Sequence, residues 1–321
     1  MKRRALVGAT ALIGAGALVL SGCSGDDGGT AASGTPTIVT STDVWGAVAT
    51  AVAGDKAKVI ALFSNAQGDP HEFEPPASDT AEVADADIIL MNGGHYDQYL
   101  DDASASSDAT VVNAFKLHSE DSADDENDGD HENDGDDHDH DHSGAANEHV
   151  FYDLDLVGDV AGKLADVLAE KDPGDAATYR ANADRFDDQI DTLSDSLDAI
   201  KKTHGGAKVA QTEPLAGYLL TEAGLSDVAP AGFTKSVEAG QSPSAADRAA
   251  LEDLLRTRQV KAFVVNAQAI DPVTEALMKT ARSAKVPVIE LTETLPKGVS
   301  SYLDWQRAQI RSLADALGTA Q

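Results

Sequence analysis

The sequence predicts an α/β protein of two (β/α) lobes with parallel sheets, joined by one long interlobe helix. Three observations predict it. Short, β-branched apolar runs alternate with helical patterns, the signature of parallel strands covered by helices. The runs fall into two groups along the chain. Between the groups, Asp175 to Lys202 runs for about 28 residues without Gly or Pro, about 40 Å of helix at 1.5 Å per residue.

Each element has its own warrant. Thr37–Thr40 is β-branched, and a helical stretch follows from Asp43 to Ala53. Lys58–Leu62, Asp87–Met91 and Thr110–Val112 read as further strands of the first group; Lys208–Ala210, Ala262–Val265 and Val286–Ile289 form the second. Leu154 to Glu170 carries apolar residues at helical spacing until Pro173 interrupts it. In the long stretch Phe186, Ile190, Leu193, Leu197 and Ile200 form an amphipathic stripe that packs a core. The expected organisation is a signal over 1–22, a tether over 23–36, an N-terminal lobe over 37–172, a linking helix over 173–203 and a C-terminal lobe over 204–321.

The 321 residues carry 24 Lys+Arg against 55 Asp+Glu, a formal charge of −31. So negative a field repels phosphate backbones and excludes nucleic acid as a partner. One cysteine excludes a disulfide framework and any multi-cysteine metal site. That leaves the nine histidines and the carboxylates as metal ligands. The N-terminus is an export address: Lys2, Arg3 and Arg4 precede the apolar Ala5–Leu20, and small residues lead to Cys23. The Leu20-Ser21-Gly22-Cys23 run resembles a bacterial lipobox, in which the cysteine is acylated; an ordinary secretory signal is the alternative. Acyl chains on Cys23 would hold the protein at an extracytoplasmic membrane face, with Ser24–Pro36 as a flexible tether.

Ser119 to Ser143 breaks the pattern. It is almost purely acidic and polar, so it cannot bury enough surface to fold and is expected to be disordered. It holds His131, His138, His140 and His142. A charge run of this kind is a solubilising loop or, with its alternating Asp and His, an auxiliary low-affinity collector of divalent metal without fixed geometry. Among the other histidines, His71 lies in a turn-rich Gly68–Pro75 segment after the second strand, and His149 lies just ahead of a helix start. Such places line the crevice of an α/β lobe.

The lipobox, the Gly-Asp-Pro-His-Glu-Phe-Glu-Pro run ending at Pro75, the His/Asp-rich insertion, Glu148–Asp155 and the closing helix with Tyr302, Trp305 and Leu313 resemble the zinc/manganese-binding solute receptors of bacterial ABC transporters. The likeness covers about Pro36 to Leu317. It implies two lobes with a metal in the cleft between them, held by two ligands from each lobe. His71 and His149 match the first two ligand positions. Glu213 stands at the third, often His in zinc receptors, and Glu293 at the fourth, usually Asp. On spacing alone Glu213 is a first-turn acid beside Pro214 and Glu293 a solvated loop carboxylate. His95, Asn266 and Gln268 also follow strands and are candidates to orient the ligands by hydrogen bonds; for His95 a plain surface position is the favoured reading.

Two neutral imidazoles and two carboxylates balance a dication, so its burial is tolerable. Zinc accepts four such donors, and the Irving–Williams order favours it over manganese. The resemblance therefore implies a lipid-anchored, monomeric, extracytoplasmic receptor that captures Zn²⁺ and passes it to an ABC permease driven by its ATPase. The alternatives are a manganese or iron receptor of the same type, or a surface metal buffer or adhesin without a transport role. An enzyme is not expected: His-Glu-x-x-His and Gly-x-Ser-x-Gly are both absent, and a four-ligand site leaves no position for a catalytic water.

Overall fold

The computed structural model describes residues 35–125 and 147–318. The signal over 1–22, Cys23, and His131, His138, His140 and His142 lie outside the described residues. Among the described residues, no helix is long and apolar enough to cross a membrane.

The first lobe is built from β1 (Thr37–Thr42), α1 (Asp43–Ala53), β2 (Lys58–Phe63), α2 (Ala77–Ala84), β3 (Ile88–Met91), α3 (Gln98–Ser104), β4 (Thr110–Asn113) and α4 (Ala114–Asp125). Helix α5 (Leu154–Lys171) follows, and then the 29-residue α6 (Ala176–His204). The second lobe comprises β5 (Lys208–Gln211), α7 (Gly217–Glu222), β6 (Ser226–Asp227), α8 (Ala231–Glu238), α9 (Ala245–Arg256), β7 (Phe263–Asn266), α10 (Pro272–Ala284) and β8 (Val288–Leu291), and α11 (Tyr302–Leu317) ends the chain. Two sheets result, β2-β1-β3-β4 and β6-β5-β7-β8, with every pairing parallel. The order is the same in both lobes.

Strand periodicity explains the layering. Successive side chains point to opposite faces, so Ile38, Ile88 and Leu90 join one core while Val39, Ile89 and Met91 join another. In the second sheet Val209 and Val264 face the first of these cores, and Ala210, Phe263 and Val265 face a third. One apolar core therefore lies between the sheets and belongs to both lobes. Helices α1, α5, α6 and α11 fill it, α6 through Phe186, Ile190, Leu193, Leu197 and Ile200.

Three details differ from the sequence reading. The edge strand β6 is only two residues long, too short for a hydrophobic pattern to mark. Helix α4 extends through Ser119 to Asp125, into the segment whose composition reads as disordered, because adding residues to a nucleated helix costs little. Helix α11 packs on β8 of the second sheet but is not confined to it. It packs against α1 and α6, and its buried face of Tyr302, Trp305, Gln306 and Ile310 braces the two lobes together.

Candidate metal centre

The loops that follow β1, β2, β3, β5, β7 and β8 meet at the carboxyl ends of both sheets, the crevice where open α/β sheets bind ligands. His71 sits in a 3₁₀ turn, Pro70–Glu72, set by its own sequence. The Asp69 side chain accepts from the His71 backbone N–H at 2.9 Å, and Pro70 occupies the first position of the turn. His149 immediately precedes a second such turn, Val150–Tyr152, and Glu213 a third, Pro214–Ala216. Glu293 lies two residues beyond the end of β8 and is fully buried.

Three of these side chains converge. One donor atom from each of His71, His149 and Glu293 lies within 4.8 Å of the other two. Glu293 Oε2 is 3.4 Å from His71 Nε2 and 3.6 Å from His149 Nε2. Ligand atoms about 2.0–2.1 Å from a tetrahedral ion stand about 3.4 Å apart, so these edges suit one cation. Glu213 is outside that group of three but beside it. It is 4 % exposed, and its Oε1 has no hydrogen-bond partner.

The electrostatics describe a site short of one positive charge. Burial works against the Glu293 charge, but the two imidazoles hold its carboxyl well below the usual carboxylate range. Burial, reinforced by repulsion from Glu293, pushes Glu213 up to about 7. For His71, burial disfavours the charged ring, but the hydrogen bond and charge of Glu293, helped by Asp69 and Glu213, win and raise it to about 9. A proton on His71 thus stands where a dication would balance the carboxylates.

The orienting contacts are specific. Glu293 Oε1 accepts from Asn266 Nδ2 at 2.6 Å, and its backbone N–H donates to Gln268 Oε1 at 2.6 Å. Gln268 Nε2 in turn reaches across to Gly68 O of the first lobe at 2.6 Å. His95, by contrast, is exposed and supplies none of these contacts; its neighbour Tyr96 does, donating to Glu293 Oε2 at 2.9 Å. The reason is the loop after β3. Asp97 accepts from the Asn92 and Gly93 backbone N–H groups, and Gly93 has φ +82° with Asn113 Oδ1 filling the space a Cβ would need. That turn puts His95 outside and Tyr96 inside. Asn147 is the other residue the sequence reading missed. Its Oδ1 lies 2.9 Å from His149 Nδ1, and its Nδ2 donates to Pro214 O. An N–H on Nδ1 directed at that oxygen leaves Nε2 as the lone-pair donor facing Glu293.

A paired-sheet cleft with buried imidazole and carboxylate donors defines a two-lobed metal receptor. The family model for the periplasmic zinc-uptake complex component A matches residues 38–316. The chain belongs to this family, the metal-binding receptors of ABC importers, which are transport components and not enzymes. It is 27% identical over 271 residues to the high-affinity zinc uptake system protein ZnuA of Bacillus subtilis, covering 82% of each chain. To the manganese-binding lipoprotein MntA of Halalkalibacterium halodurans it is 30% identical over 187 residues, spanning 56% of this chain and only 54% of that protein. In structure, the laminin-binding protein Lmb of Streptococcus agalactiae superposes with a TM-score of 0.69 at 22% identity, over 88% of this chain and 100% of that one. A zinc-bound deletion mutant of ZnuA superposes with 0.68 at 20% identity, over 90% and 100%. These two likenesses establish the fold.

Metal binding should be coupled to proton release. His71, raised to about 9, is protonated at neutral pH, and Glu213, raised by burial beside Glu293, holds a proton more readily than a free carboxylate. A metal needs both deprotonated, so loading at pH 7 is expected to release roughly one to two protons. Affinity then falls as pH drops below about 9, because protons compete more strongly. Calorimetry in buffers of different ionisation enthalpy measures the number; loading at pH 7 without proton release would contradict this electrostatic picture.

Proposed function

We infer that this chain is an extracytoplasmic receptor, anchored by lipid at Cys23 and working as a monomer, which captures Zn²⁺ and hands it to an ABC permease. His71, His149, Glu213 and Glu293 are the proposed ligands. The observation that carries this reading is the pair of buried, unpartnered donor atoms, His149 Nε2 and Glu213 Oε1, beside a carboxylate already facing two imidazoles. Leaving buried polar atoms unpaired costs about 1–3 kcal/mol each, a cost that a bound cation removes. Two nitrogens and two oxygens suit four-coordinate zinc. Release requires separating ligands contributed by opposite lobes.

Manganese is the second reading. The carboxylates at positions 213 and 293 harden the donor set towards it, and the manganese-binding MntA is a relative. Membership of a transport family does not favour a surface buffer or adhesin without a transport role.

Elemental analysis and calorimetry of a mature chain lacking residues 126–143 test the reading. One stoichiometric zinc ion, bound tightly and in preference to manganese, is expected, with only weak additional sites lost from the full chain. Disappearance of the tight site with the segment would move the ligands into the His/Asp run and refute the cleft assignment.

A further inference from the structure

The two oxygens of Glu293 have different surroundings. Oε2 faces both imidazoles, at 3.4 and 3.6 Å, and accepts from Tyr96 at 2.9 Å. Oε1 accepts from Asn266 Nδ2 at 2.6 Å. Asn266 cannot exchange its amide ends without loss. It is the last residue of β7, 1% exposed, and its Oδ1 accepts the Gln268 backbone N–H at 2.9 Å. Glu213, beside this group, keeps its Oε1 without a hydrogen-bond partner.

We propose that Asn266 is a specificity-determining residue: by holding Glu293 Oε1, it leaves Oε2 as the oxygen of that carboxylate turned to the cation and so favours Zn²⁺ over Mn²⁺. This rests on the receptor reading above and deepens it. Two imidazole nitrogens and two single oxygens make four donors, the number zinc prefers. Manganese favours about six, mostly oxygen. With this protein's ligands it would have to take both oxygens of each carboxylate. At Glu293 that competes with the charge-assisted hydrogen bond from Asn266 to Oε1, a class stronger than neutral ones. Tyr96 differs, because it donates to Oε2, the oxygen that already faces both imidazoles, so its loss does not change which oxygens face the cation.

The test uses the full mature chain and Asn266→Leu, which removes the donor while keeping an apolar side chain of similar size. Competition calorimetry with Zn²⁺ and Mn²⁺ should show the affinity ratio moving towards manganese by about tenfold or more, the equivalent of one charge-assisted hydrogen bond. Co²⁺ supplies a structural readout. The wild-type chain should give the intense visible bands of a four-coordinate ion, and the variant the weaker bands of higher coordination. Tyr96→Phe should lower both affinities and leave their ratio unchanged. If Asn266→Leu does not fold, Asn266→Ala and the wild-type cobalt spectrum still decide. A six-coordinate wild-type spectrum, or a variant that weakens both metals equally with an unchanged spectrum, overturns the role of Asn266 while zinc preference stands. A wild-type chain that prefers manganese overturns the zinc reading as well.

Discussion

Glu293→Ala is expected to abolish stoichiometric metal binding while leaving the fold intact. Zinc sites with four protein donors bind with about 10–16 kcal/mol, a mean of about 2.5–4 kcal/mol per donor. Losing one donor therefore weakens binding by about 10²–10³-fold. Glu293 should exceed that range, for two reasons visible in the site. It is the carboxylate nearest both imidazoles, and it is the main support for the raised pKa of His71. Without it the cation would be buried with one carboxylate instead of two, and an uncompensated buried charge is costly. Glu293→Gln should behave alike, because an amide keeps the shape and loses the charge. His95→Ala, at an exposed position, should bind as the wild type does. The measurement is zinc affinity by competition with a chelating dye. Binding by Glu293→Ala within tenfold of wild type would remove Glu293 from the ligand set.

Much of this arrangement was legible from residues, and the exceptions have physical causes. The strands were legible as short apolar, often β-branched runs, and the long helix because Phe186, Ile190, Leu193, Leu197 and Ile200 recur at helical spacing. His71 and His149 were legible as residues beside turns after strands. The carboxylates were not legible without the family likeness, because an acid next to Pro214 or in a loop after a strand is commonplace in a chain with 55 acidic residues. Burial beside the two imidazoles separates Glu213 and Glu293 from the others, and that depends on which loops meet. The choice of Tyr96 over His95 lay deeper still. It turns on the positive φ of Gly93 and Gly94, a backbone property that decides which of two adjacent side chains points inward. Asn147 carried no signal, since its role depends on a contact with Pro214, 67 positions away.

The interlobe brace leads to the second large effect. Trp305→Ala is expected to cost about 3–5 kcal/mol, the usual range for removing a buried tryptophan. At about 2 °C per kcal/mol for a large domain, melting falls by roughly 6–10 °C. Trp305 is 1% exposed and packs its ring on Tyr152, Phe151 and Tyr302, with centroids 5.3, 6.2 and 5.7 Å away. Its Nε1–H donates to Thr292 Oγ1 at 2.9 Å, and Tyr152 Oη donates to Thr292 O at 2.7 Å. One indole thus supports the residue before Glu293 and the turn that follows His149, which come from different lobes. Its removal should loosen both ligands at once and lower zinc affinity although no donor has changed. Trp305→Phe keeps a ring in the cavity and loses only the Thr292 hydrogen bond, so it should fall between the two. Thermal melts with and without zinc separate the effects: the stabilisation by metal shrinks as affinity falls. A Trp305→Ala chain melting within 2 °C of wild type, with its zinc-induced shift unchanged, would mean that α11 merely covers the cleft and does not hold it in register.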